Sequence, residues 1–163
     1  MKTRLPLTLL LAFVCQFLFA QVSKTVNATA GELINLLTTT ELTTVTDLTI
    51  TGNIDARDFK TMRDKMSAVK NIDLSGASIV AYEGEGGTET EPSFFGSSYG
   101  ANMIPIEAFV ANATIKSIII PDNVTFIDKY AFHGCINLET VKFPSALTEI
   151  EEKGTYEVMK ECL

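Results

Sequence analysis

Residues 106–127 and 129–150 carry nearly the same pattern at a constant offset of 23. Ala108-Phe109 falls on Ala131-Phe132, Ile115 on Leu138, and Ile118 and Ile120 on Val141 and Phe143. Pro121 falls on Pro144, Val124-Thr125 on Leu147-Thr148, and Ile127 on Ile150. Self-similarity at such a period is the signature of a solenoid. A unit of this length cannot bury enough apolar surface to order its own backbone, so it is stable only when neighbouring coils cover one another.

The repeating positions have physical roles. In Ser117-Ile118-Ile119-Ile120 and Thr140-Val141-Lys142-Phe143, alternate residues point one way, as in a short strand. Pro121 and Pro144 stop each strand, since proline donates nothing to a ladder. Val124/Ile127 and Leu147/Ile150 return apolar side chains to the same interior, and the Ala-Phe pair adds one small and one large filler, expected on a helical turn.

These residues resemble the repeat of the BspA-like bacterial leucine-rich repeat surface proteins. The second copy carries the likeness most fully, with Ala131-Phe132-His133-Gly134-Cys135, Asn137-Leu138, Val141, Phe143-Pro144 and Leu147-Thr148-x-Ile150. The first copy departs from it, with Ala111 at the glycine position and Asn112 at the cysteine position. The resemblance implies an α/β repeat, a leucine-rich-repeat-like solenoid of short stacked strands with helical turns. It also implies attachment to host extracellular-matrix proteins or to bacterial surface proteins or glycans.

The chain opens with Lys2 and Arg4 ahead of an apolar run from Leu5 to Phe19, with Ala20 before Gln21. The run is too short for a spanning helix and reads as a signal peptide over residues 1–20, which implies a secreted or cell-surface protein. Residues 21–45 are expected to form a helical N-terminal cap, because Thr29-Ala30-Gly31-Glu32 is a capping-box pattern ahead of Leu33, Ile34, Leu36 and Leu37. Residues 46–82 read as two degenerate repeats, with Leu48, Ile50 and Gly52 recurring as Ile72, Leu74 and Gly76 at an offset of 24. Between those strands Asp55 caps a helix with Phe59, Met62 and Met66 on one face. Ile72 and Ile118 lie 46 apart, two periods, so an inserted loop is expected over 83–103, where Gly, Ser, Thr and Glu dominate. The two regular repeats fill 104–150, and 151–163 reads as a polar tail with Tyr156, Met159 and Leu163 as its apolar side.

The chain holds 13 basic and 20 acidic residues; without the leader 11 basic remain, a net of −9. That balance disfavours nucleic acid and anionic membranes as partners, and no membrane insertion is expected once the signal is removed. One histidine, no tryptophan and no nucleophile paired with a base leave no catalytic, metal or cofactor constellation, so no enzyme activity is expected. Cys135 sits at an inward repeat position and reads as a small buried hydrophobe. Asn27, Asn112 and Asn123 match the glycosylation pattern.

Alternation turns Asp47, Thr49, Asn71, Asp73, Ser117, Ile119, Thr140 and Lys142 outward on one sheet face. Ile119 is the apolar exception. Phe94, Phe95 and Tyr99 of the inserted loop either fold back on the flank of the stack or form an exposed aromatic patch, and the loop enters just before this coil, where such a patch would adjoin Ile119. Ile119, Lys142, Phe94, Phe95 and Tyr99 are therefore the candidate ligand-binding residues. The alternative reading is a structural spacer, or a fragment of a longer surface protein, with no binding activity of its own.

Overall fold

The computed structural model describes residues 21–91 and 97–151. The leader, Phe94, Phe95 and the expected tail beyond Glu151 lie outside the described residues. Five parallel strands form the main sheet in chain order: β1 (Ser23–Ala28), β2 (Asp47–Ile54), β3 (Asn71–Ile79), β7 (Ser117–Ile119) and β9 (Thr140–Lys142). Three two-residue strands form a second parallel sheet, β6 (Met103–Ile104), β8 (Phe126–Ile127) and β10 (Glu149–Ile150). β4 (Tyr82–Gly84) and β5 (Ser97–Tyr99) make an antiparallel hairpin.

The register of the main sheet follows the apolar spacing. Leu48 pairs with Ile72, Ile72 with Ile118 and Ile118 with Val141, and all four side chains are buried. The second sheet aligns Ile104, Ile127 and Ile150 at the same 23-residue interval. Ile104 thus opens a coil directly after the insertion, and its partner Met103 belongs to the stack rather than to the loop expected through residue 103.

Three expectations are corrected. Residues 21–45 open on β1, whose Val26 pairs with Ile50, so this end of the sheet is a strand and not only a helical cap. The Thr29–Glu32 pattern caps no helix: α1 (Leu33–Leu36) starts at Glu32 with no side-chain cap bond. The capping box belongs to α2 (Thr39–Thr44), where Thr38 Oγ1 accepts from Glu41 N at 3.2 Å and Glu41 Oε2 accepts from Thr38 N at 2.8 Å. Gly52 pairs with Ala77, not with Gly76, because the register shifts by one residue between Thr49 and Thr51, as at a bulge.

The Ala-Phe pairs lie on tight turns rather than helix. Ala108 N bonds Pro105 O and Ala131 N bonds Asp128 O, while Asn112 N bonds Phe109 O and Cys135 N bonds Phe132 O. Each turn needs two left-handed residues, Glu107 (φ 55°) and Ala111 (φ 56°) in the first, Tyr130 (φ 56°) and Gly134 (φ 74°) in the second. Asn112 and Cys135 then close equivalent positions by different chemistry. Asn112 Oδ1 accepts from Thr114 N and Ile115 N at 2.9 and 3.2 Å, whereas the Cys135 thiol donates to Phe109 O at 3.0 Å.

α3 (Ala56–Lys65) crosses from β2 to β3 and starts at Asp55, as the sequence leads one to expect. Its Phe59 and Met62, with Met66 just beyond, are 0–1% exposed. Phe59 meets Phe109 edge to face, and Phe109 stacks on Phe132, each pair 5.7 Å between centroids. This column joins the irregular coils to the regular ones.

Candidate functional site

The inward alternation of β2, β3 and β7 leaves the opposite residues on one open face. Asp47, Thr49, Asn71, Asp73, Ser117 and Ile119 surround a shallow cavity of about 160 Å³ floored by Leu48 and Ile72. The strands place these side chains in two rows. The first is hydrogen-bonded from strand to strand: Thr46 Oγ1 donates to Asp47 at 2.5 Å, Asn71 Nδ2 to Asp47 at 2.8 Å, and Ser117 Oγ to Asn71 Oδ1 at 2.7 Å. Partial burial pushes the Asp47 carboxyl up, but donors from Thr46, Asn71 and Gln21 outweigh it and hold the group below its ordinary value. Asp47 is therefore an anion at neutral pH.

The second row runs Thr25, Thr49, Asp73, Ile119, Lys142. Ile119 is half-buried between Asp73 and the exposed Lys142, so the row passes from an acid through an apolar patch to a base. Asp73 spends one oxygen on Ser75 N at 2.9 Å.

Tyr99, expected beside Ile119, lies elsewhere and is 5% exposed. Its ring stacks on Tyr82 at 6.1 Å, and its hydroxyl accepts from Glu89 N at 3.1 Å. The hairpin turns toward α3: Arg57 covers the Tyr82 ring at 4.3 Å, and Arg63 Nη1 donates to Thr88 O and Glu107 O, both at 2.7 Å. Packed on Tyr82, Tyr99 is buried and offers no exposed contact.

A larger cavity, about 570 Å³, runs along the starts of the same strands between Val22, Thr44, Ala68, Lys70, Ala113 and Lys116. Two of its polar side chains are occupied: Lys116 pairs with Glu139 at 2.9 Å and the Asn137 side chain donates to Ala113 O at 2.6 Å. Asn112, one of the three glycosylation-pattern asparagines, is 8% exposed with its carbonyl engaged, so its amide is not presented.

The sequence reading missed Asp58. This fully buried carboxylate accepts from Gly31 N, Leu33 N and Asp55 N at 2.7–2.9 Å, bolting the start of α1 to the start of α3. Burial raises its pKa despite those three donors. Its place three residues after Asp55 completes the capping box of α3 and is a local signal, but its bonds to Gly31 and Leu33, 27 and 25 residues away, are not announced by any local pattern. It also missed the charged outer side of α3, which the helical spacing of Arg57, Lys60, Thr61, Asp64 and Lys65 does reveal.

Among the described residues, no group of three His, Cys, Asp or Glu side chains is placed to hold a metal ion, and no helix is long and apolar enough to cross a membrane. Residues 102–160 match the family described as the BspA type leucine rich repeat region (6 copies). The match begins where Met103 and Ile104 open the second sheet. No curated protein matches the chain.

Proposed function

Proceeding from a chain that carries a BspA-type leucine-rich repeat region over residues 102–160, we propose that it is a secreted or cell-surface binding module. In this reading residues 1–20 are a signal peptide, the coils stack as a solenoid with residues 21–45 closing one end, and the open sheet face adheres to a protein or glycan. The observation that carries it is the ordered face itself: six side chains from three strands converge on one cavity, with half-buried Ile119 between Asp73 and Lys142. A pre-ordered surface binds without the cost of ordering side chains on contact. The mutual bonding of Asp47, Asn71 and Ser117 favours a second reading, a spacer whose face is simply closed to solvent exchange.

Capture of immobilised extracellular-matrix proteins by residues 21–163 separates the two. Ile119→Asp is expected to weaken capture at least tenfold, about 1.4 kcal/mol, with little change in Tm. If the unsubstituted protein captures nothing, the spacer reading stands. If Ile119→Asp unfolds the protein, Ile119 belongs to the core and the site is not there.

A further inference from the structure

The outer side of α3 borders a cavity of about 330 Å³ lined by Arg57, Lys60, Asp64 and Lys65 together with Ile34 and Gly86. The charges are not balanced. Arg57 is bound to Asp55 at 2.5 Å, and Asp64 to Arg63 at 2.7 Å, so each forms a neutral pair. Among the described residues, Lys60 and Lys65 have no hydrogen bond or ion pair. Two uncompensated cations thus line a concavity on a protein whose net charge is −7. Unpaired cations at a concave surface attract anions locally.

An apolar, open part of the lining comes from Ile34 and Gly86. Ile34 is 37% exposed, and a side chain added at Gly86 would meet nothing within 4 Å. A volume near the lower end of small-molecule sites, about 300–1,000 Å³, suits one small unit rather than a folded surface. Lys60 and Lys65 are five residues apart, about 7.5 Å along the helix axis and about 140° around it, so their ammonium groups are held apart and two separate acid groups fit them better than one. Lysine is a point charge without the planar fork of arginine and selects charge rather than a particular oxyanion geometry.

We propose that this cavity binds a ligand carrying two carboxylate groups, one for each lysine, with its carbon skeleton against Ile34. The acids belong either to one small molecule or to neighbouring units of an acidic chain. The site does not depend on the sheet-face reading. Phe59 and Met62 of α3 pack into the core beneath the inward strand residues, which puts Lys60 and Lys65 on the side away from Asp47 and Asn71.

Calorimetric titration of residues 21–163 in low salt tests it, with citrate as the free acid, polygalacturonate as the acidic chain and dextran as the neutral control. At least one acid is expected to bind and dextran is not. Lys60→Ala/Lys65→Ala should weaken that binding at least tenfold, Lys60→Gln/Lys65→Gln should do the same with the stems retained, and Ile119→Asp should leave it unchanged. Binding of citrate identifies a free small anion, and binding of polygalacturonate alone identifies a polymer. Absence of binding by both acids, equal binding of dextran, or unweakened binding by the folded glutamine variant overturns the proposal.

Discussion

Thr88 illustrates how much one atom matters in so small a structure. Its backbone oxygen serves Arg63, but its Oγ1 is buried with no hydrogen-bond partner among the described residues. An unmet buried hydroxyl costs about 1–3 kcal/mol in lost hydration. Thr88→Val keeps the shape and removes the orphan, so it should raise stability by about 1 kcal/mol in a urea melt; a fall would show that the hydroxyl is satisfied in solution. At the same scale, Tyr99 shows what a sequence hides. An aromatic in a stretch of glycine and serine can fold back on the stack or stand exposed, and its stacking on Tyr82 and its bond from Glu89 N, set by a hairpin that no local pattern announces, decide for burial.

Among the elements, α2 carries a contribution that is lost in acid. Glu41 is held down from an ordinary 4.5 to about 2, first by the Lys24 ammonium at 2.5 Å and then by the backbone and side chain of Thr38. A carboxyl lowered on folding contributes stability that is full above pH 4.5 and is lost as the pH falls toward 2. Asp58, raised by burial, acts with the opposite sign in acid: its contribution is fullest below 3.8 and declines as the pH rises through its folded value. The prediction therefore concerns a difference. The Tm of the unsubstituted protein should exceed that of Glu41→Gln at pH 6, and the gap should close between pH 4.5 and 2; a gap independent of pH would detach Glu41 from the Lys24 pair. The strands with strong inward pairs, β2, β3, β7 and β9, were legible because Leu48/Ile50, Ile72/Leu74, Ile118/Ile120 and Val141/Phe143 recur at fixed intervals. β1 was not, since only Val26 and Ala28 of its six residues are buried. The second sheet was not either, because a two-residue strand has no alternation to detect. Of the candidate site, the outward row of the main sheet could be read from alternation, while the company kept by the inserted loop could not.

For the whole molecule, the question is whether the irregular and regular coils stand or fall together. Phe109 touches Phe59 on one side and Phe132 on the other, and is 0% exposed. Phe109→Ala should cost about 3–5 kcal/mol. Because the ring belongs to both halves, the loss should appear as one transition at lower denaturant; two separated transitions would show that the halves fold independently. The Cys135 thiol sits beside this column, fully buried, hydrogen-bonded to Phe109 O, and pushed up to about 11 by that burial. In its closed position it is neither reachable nor a thiolate at neutral pH. The chain therefore carries its own stopwatch: with Cys15 and Cys162 replaced by serine and reagent in enough excess that labelling outpaces reclosing, the rate of Cys135 alkylation counts how often its turn opens.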